Sequence, residues 1–152
     1  MKILILCTGN SCRSQMAHGF LQSFDKGIEV YSAGTEPAKE VNPMAVEVMA
    51  EAGVDISNHT PHDVREYINQ AGDYVITVCD EANETCPVFI GKVEQRLHFG
   101  FRDPSKAEGT PEFIKDQFLR TRFEIKNKFS EFYITQILKK EMPKCACSGA
   151  WE

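Results

Sequence analysis

The sequence predicts an α/β fold, a three-layer arrangement in which a central parallel sheet of about four strands is flanked by helices. Apolar, strand-like runs alternate along the chain with segments of helical length, the order that builds such sheets. The first run passes through a short loop bearing Gly9 and Asn10 directly into helical spacing. The most β-branched internal run, Asp73–Val78, ends at a cysteine just as the first run does. Two thiols and a glycine-bearing loop therefore fall at the carboxyl ends of strands, the edge where such sheets bind ligands.

Each element has its own justification. Lys2–Leu6 (Lys-Ile-Leu-Ile-Leu) is a buried-type strand. Ser14–Phe24 is a helix with Met16, Phe20, Leu21 and Phe24 on its apolar face. Ile28–Ser32 is a second, short strand, ended by Ala33-Gly34. Asn42 caps and Pro43 begins a helix to about Ala52, with Gly53 as its stop. Val64–Gln70 reads as a short helix, Asp73–Val78 as the clearest internal strand and Leu97–Phe99 as a weaker one. Thr110-Pro111 opens a long helical region reaching Lys139, as one helix or two, with Phe113, Phe118, Phe123, Phe129 and Ile137 as buried candidates. No repeat or low-complexity linker divides the chain. Residues 1–140 are expected to form one catalytic domain and 141–152 an irregular, cysteine-bearing tail.

Composition narrows the function classes. A chain of 152 residues can bury a sizeable core. A net charge of −5, with Lys and Arg scattered, argues against a general nucleic-acid binder. No apolar run approaches membrane-spanning length and no secretory leader is expected, so the expected location is cytoplasmic. Six cysteines in such a chain read as nucleophilic or redox chemistry before a disulfide framework. The spacing of paired cysteine knuckles and histidines that marks structural zinc is missing.

The chemistry concentrates in Cys7-Thr8-Gly9-Asn10-Ser11-Cys12-Arg13-Ser14. Gly9 and Asn10 tolerate left-handed backbone, so successive N–H groups can turn inward as an anion nest. The nest sits on a helix N-terminus with its partial positive charge. Arg13 adds a planar fork suited to a tetrahedral oxyanion such as phosphate or arsenate. Cys7 faces these groups as a nucleophile. A free thiol titrates near ~8.5, and making one mostly thiolate at neutral pH takes about 3–4 kcal/mol of differential stabilisation. Cys12, inside the loop, is read as a small buried residue shaping it, ahead of a disulfide partner for Cys7.

The run Cys7–Ala17 resembles the signature of the low-molecular-weight protein tyrosine phosphatase fold. More closely, it is similar to the thioredoxin-coupled arsenate reductases that share that fold. The resemblance continues through Val30–Gly34, Val41–Pro43, Asp55–Thr60, Val75–Cys79, Cys86-Pro87 and Phe99–Pro104. It implies Cys7 as nucleophile, with Arg13 and the amides from Thr8 to Ser14 holding the oxyanion. It implies Asp103 as the acid that protonates the leaving oxygen. In the reductases a second thiol, here Cys79, attacks the Cys7–arsenic adduct and expels arsenite. Cys86 then takes over the disulfide, leaving Cys79–Cys86 for thioredoxin. A phosphatase instead lets water hydrolyse its adduct on Cys7. Against that alternative stand Gln15, where those phosphatases carry proline, and the missing tyrosines after Asp103-Pro104.

The relay carries a geometric demand. A disulfide needs Cα atoms within about 4.4–6.8 Å, whereas a regular helix would hold Cys79 and Cys86 about 10 Å apart. The polar segment Asp80–Thr85 must therefore be looped or unwound. Asn10 and Ser32 match positions that, in some relatives, contribute to a potassium site. His18 and His62 stand where those relatives carry carboxylates, so no metal is expected, and no cofactor is implied. His59 and His98 are read as surface or packing histidines, and Cys145-Ala-Cys147 as a tail without enforced geometry. Arsenate, with phosphate as competing oxyanion, and thioredoxin are the expected partners of a monomer.

Overall fold

Four strands, β1 (Lys2–Cys7), β2 (Glu29–Gly34), β3 (Gly72–Thr77) and β4 (Val93–His98), make one parallel sheet in the order β2-β1-β3-β4. The computed structural model describes residues 1–70, 72–86 and 88–142. Lys2 lies opposite Glu29 and Cys7 opposite Gly34 on one side of β1; on the other, Ile3 faces Tyr74 and Leu6 faces Thr77. The two central strands are the apolar runs. The edge strand β4 exposes Glu94, Gln95 and Arg96, charges and amides that an open edge tolerates.

Side chains alternate across the sheet with a period of two. Ile3 and Ile5 of β1 and Tyr74 and Ile76 of β3 enter one core with Met16, Phe20, Ile125 and Phe129. Leu4, Leu6 and Val75 enter the other with Phe89. The layers are unequal. Helices α1 (Arg13–Phe24), α2 (Pro43–Glu51) and α3 (Pro111–Phe132) share the first face, whereas Val64, Tyr67, Ile68 and Phe89 cover the second. Asn42 accepts the Met44 N–H at 2.8 Å and Gly53 closes α2 at φ +81°, as the sequence predicts. A cap of this kind is worth about 1 kcal/mol.

The expectations and the fold differ in three places, and one open alternative is settled. Val64–Gln70 is a 3-10 turn over Val64–Glu66 followed by irregular turns. Asp63 and Glu66 form the reciprocal bonds of a capping box that starts this turn, and Tyr67 and Ile68 then pack on the sheet instead of continuing a helix. β4 begins at Val93, four residues before Leu97. The long C-terminal region is one helix whose last turn widens to π geometry over Tyr133–Ile137. Phe113 and Phe123, expected inside, are 49 % and 46 % exposed. Each lies five residues from Phe118, about 140° around the helix from the buried stripe of Phe118, Thr121, Ile125, Phe129 and Phe132. Cys145 and Cys147 lie outside the described residues, as does most of the tail. Among the described residues no helix is long and apolar enough to cross a membrane.

Candidate active site

The strand order reverses at β1, so the crevice beyond its carboxyl end is the topological switch point. Cys7 is the last residue of β1. The Val78 N–H donates to the Leu6 carbonyl at 3.0 Å, which keeps the chain leaving β3 beside β1 and delivers Cys79 to the same edge.

Residues 8–11 turn their carbonyls outward, and each carbonyl has a partner. Glu36 N–H donates to Thr8 O, Ala38 N–H to Gly9 O and Asn42 N–H to Ser11 O, all at 2.9 Å. The Gln15 amide donates to Asn10 O at 3.1 Å. With the carbonyls fixed outside, the loop amides and the free N–H groups at the start of α1 are left for the interior. Asn10 makes the bend at φ +51° and is fully buried. Its side chain donates to Ser14 Oγ at 2.8 Å and accepts the His62 N–H at 2.9 Å. Gly34, opposite Cys7 in β2, lies so close that a Cβ there would overlap the Thr8 carbonyl and sit 3.1 Å from the Asn10 nitrogen.

Two donors converge on the Cys7 sulfur. The Asn10 N–H lies 3.2 Å from Sγ and Ser14 Oγ 2.9 Å from it. Because Asn10 Nδ2 donates to Ser14 Oγ, the hydroxyl's own proton is free to point at the sulfur. Arg13 is buried beside them. Its Nη1 donates to the Phe101 carbonyl at 3.0 Å, and among the described residues its Nε has no partner. Burial works against its charge, but the Glu84 hydrogen bonds and the charges of Asp103, Cys7 and Glu84 raise its pKa further. Cys12 is buried and caps α1 without a side-chain bond. Burial, then the Asp103 charge, push its thiol up to about 12, so it is protonated at neutral pH.

Asp103 caps the 3-10 turn Pro104–Lys106, accepting Ser105 N–H at 3.0 Å and Ser105 Oγ–H at 2.6 Å through Oδ1. Its other oxygen lies 3.6 Å from Arg13 Nη2. A cavity of about 270 Å³ over Cys7 is lined by the loop, Arg13, Glu84, Thr85, Asp103 and Lys106. Cys7, Arg13 and Asp103 therefore share one crevice with Thr8, Gly9, Ser11 and Cys12, while Asn10 and Ser14 build its wall.

Cys79 and Cys86 are joined as a disulfide with Cα atoms 5.7 Å apart. The segment between them is turn, as the relay demands, and Asp80 organises it. Asp80 accepts the Ala82 N–H at 3.1 Å and Asn83 Nδ2–H at 2.7 Å, while its carbonyl receives the Glu84 N–H at 2.9 Å. Cys79 is fully buried and Cys86 half-buried. His98 is exposed, with a ring nitrogen and both sulfurs within 4.8 Å of one another.

The remaining histidines support the loop from behind. His18 bonds Ser32 Oγ at 2.9 Å and packs on His59 with ring centroids 4.6 Å apart. Burial, then the charges of His59 and His62, bring His18 down to about 3, so a neutral imidazole occupies this position. His59 Nδ1 lies 2.9 Å from Gln15 Oε1, to which it must donate. His62 serves through its backbone, and its ring reaches Glu66 instead.

Sequence reasoning missed two contributors. Segment 36–42 anchors the loop through backbone groups alone, which leave no side-chain signature. Glu84 grips both terminal nitrogens of Arg13, at 2.6 Å and 2.9 Å. Only its place between the two cysteines could have pointed to it.

A family model described as low molecular weight phosphotyrosine protein phosphatase matches residues 2–144. An arsenate reductase of Halalkalibacterium halodurans is 46 % identical over 131 residues, spanning 86 % of this chain and 93 % of that protein. One from Bacillus subtilis matches with the same identity and coverage. Among solved structures, an arsenate reductase in its oxidised state is 29 % identical with a TM-score of 0.72, covering 90 % of this chain and 98 % of its own. Another, in a phosphate-binding state, reaches 0.69 at 29 % identity over 88 % of this chain and 97 % of its own. Motif, strand order and relatives agree, and the chain belongs to the low molecular weight phosphotyrosine protein phosphatase family.

Proposed function

We propose that this protein reduces arsenate to arsenite through a thiol relay, in the cytoplasm and as a monomer, with thioredoxin as reductant and phosphate as a competing oxyanion. Residues 1–140 are its catalytic domain. The observation that carries this reading is the Cys79–Cys86 disulfide on the sheet edge that also bears Cys7. Hydrolysis of a phosphate ester has no use for that pair. The names of the curated relatives support the same reading.

The chemistry follows from the groups at hand. The amides of Thr8–Ser14 and the Arg13 fork hold the oxyanion against Cys7. The Cys7 sulfur attacks arsenic, an S–As bond forms, and one arsenate oxygen leaves as water after taking a proton from Asp103. Cys79 then attacks the Cys7 sulfur. The S–As bond breaks with its electron pair kept by arsenic, which departs as arsenite, and a Cys7–Cys79 disulfide remains. Cys86 attacks Cys79, releases Cys7, and leaves Cys79–Cys86 for a dithiol to reduce. Arsenic gains two electrons and two thiols lose them.

Phosphatase activity is the second reading, favoured by the family match and by a cradle that serves phosphate equally well. Arsenate turnover with thioredoxin, its reductase and NADPH, run beside p-nitrophenyl phosphate hydrolysis, separates the two. The relay predicts steady NADPH consumption that Cys79→Ser abolishes while ester hydrolysis survives. Brisk hydrolysis without arsenate turnover would make this protein a phosphatase.

A further inference from the structure

We propose that Glu84 is an internal ligand of the oxyanion site, held on Arg13 by the Cys79–Cys86 disulfide, so that oxyanion binding and the disulfide oppose each other. The inference rests on reading Cys7–Ser14 as an oxyanion cradle, and on nothing about which oxyanion is turned over.

The geometry is that of a carboxylate standing in for substrate. Glu84 Oε2 lies 2.6 Å from Arg13 Nη1 and Oε1 lies 2.9 Å from Nη2, a bidentate fork. Oε2 also accepts the Asp80 N–H at 3.2 Å, and Oε1 receives Thr8 Oγ–H at 3.5 Å. The pair is withdrawn from water, with side-chain exposures of 5 % for Arg13 and 11 % for Glu84. Burial opposes the Glu84 charge, but the hydrogen bonds and charge of Arg13 outweigh it and hold the carboxyl below its ordinary value. The Arg13 Nε, buried and without a partner among the described residues, is a donor that this carboxylate does not satisfy. A tetrahedral oxyanion over Cys7 offers more acceptors, to Nε as well as to the fork. An oxyanion on the fork would need the two terminal nitrogens that Glu84 now holds, where Asp103, 3.6 Å from Nη2, already brings a second carboxylate.

The disulfide sets the position of this competitor. It closes a loop of seven-residue separation around Glu84 and brings its ends to 5.7 Å. Inside that loop, the Asp80 bonds fix the turn from which Glu84 projects. Opening the bond removes the covalent closure and lets the polar segment withdraw, which frees the fork. The coupling is reciprocal. If reduction tightens oxyanion binding tenfold, saturating oxyanion shifts the redox equilibrium of the pair tenfold toward dithiol, about 30 mV for two electrons. An oxidised molecule then rejects oxyanion until a dithiol has recharged it, and oxyanion in turn favours the recharged form.

Inorganic phosphate tests this without turnover. Isothermal titration is run on the full chain, oxidised and then reduced with dithiothreitol and desalted anaerobically, for the wild type and Glu84→Gln. The proposal predicts at least tenfold tighter phosphate binding by the reduced wild type, and a ratio below about threefold in Glu84→Gln because its oxidised form gains affinity. As a second readout, equilibration in a dithiothreitol redox buffer shows the phosphate-induced shift in the wild type and loses it in Glu84→Gln. Equal affinities in the two wild-type states, or an unchanged ratio in Glu84→Gln, overturn the proposal. Folded wild type that binds phosphate in neither state overturns it by removing the cradle itself.

Discussion

Replacing Asn10 by alanine tests the architecture of the loop at its hub. The side chain is fully buried and makes two hydrogen bonds, to Ser14 Oγ at 2.8 Å and from the His62 N–H at 2.9 Å. Its loss leaves both partners short, at about 1–3 kcal/mol for each group left unsatisfied. The residue also sits at φ +51°, where alanine is disfavoured by about 1 kcal/mol. Asn10→Ala should therefore lower stability by about 3–7 kcal/mol, the lower part of the range applying if water replaces one bond. Asn10→Gly relieves only the backbone part and should recover about 1 kcal/mol of that loss. Urea titration reads both as a fall in midpoint at constant slope. Phosphate binding to the reduced protein should weaken in both, because the Ser14 hydroxyl loses the bond that aims it at Cys7. A loss below about 1 kcal/mol with unchanged phosphate affinity would refute the role assigned to Asn10. Indistinguishable alanine and glycine variants would refute its backbone component.

Other perturbations have equally definite outcomes. Gly34→Ala forces a methyl group into the Thr8 carbonyl, so phosphate affinity and p-nitrophenyl phosphate hydrolysis should fall at least tenfold while the far-UV spectrum of the sheet persists. Cys12→Ser should leave that hydrolysis within about threefold, since a thiol raised to about 12 takes no part as a thiolate. His18 tests pH dependence. Its folded pKa of about 3 lies below the ordinary 6.5, so between those values the unfolded chain binds the extra proton. Its contribution to stability is complete above pH 6.5 and is lost as pH falls toward 3. Wild type should lose about 2–3 kcal/mol more than His18→Gln between pH 6.5 and 4.5 in urea titrations, and equal losses would contradict a buried neutral imidazole.

What the sequence made legible is what it encodes locally. β1, the loop and α1 are contiguous, so Cys7, Arg13 and the nest between them could be read from one short stretch. The central strands declared themselves because burial on both faces demands uninterrupted apolar runs. β4 did not, since an edge strand carrying Glu94, Gln95 and Arg96 has the composition of a solvated loop. Phe113 and Phe123 misled because their hydrophobicity was weighed without their angular place on α3. Glu84 was hidden for a different reason. Its partner Arg13 lies 71 residues away, and a lone glutamate in a polar segment is ordinarily a solvated charge. The same holds for segment 36–42, whose service to the loop is performed by backbone groups that any sequence carries.

The central claim, a two-electron relay ending at Cys79–Cys86, is tested most directly by a single turnover without recycling reductant. Fully reduced protein is mixed with excess arsenate, arsenite is counted, and the cysteine pairing is mapped by peptide mass spectrometry after acid quench. The relay predicts one arsenite per protein molecule, two thiols consumed, and a disulfide joining Cys79 to Cys86, with Cys7 recovered as a free thiol. No arsenite, or arsenite with the disulfide elsewhere and Cys79 and Cys86 still reduced, would contradict it.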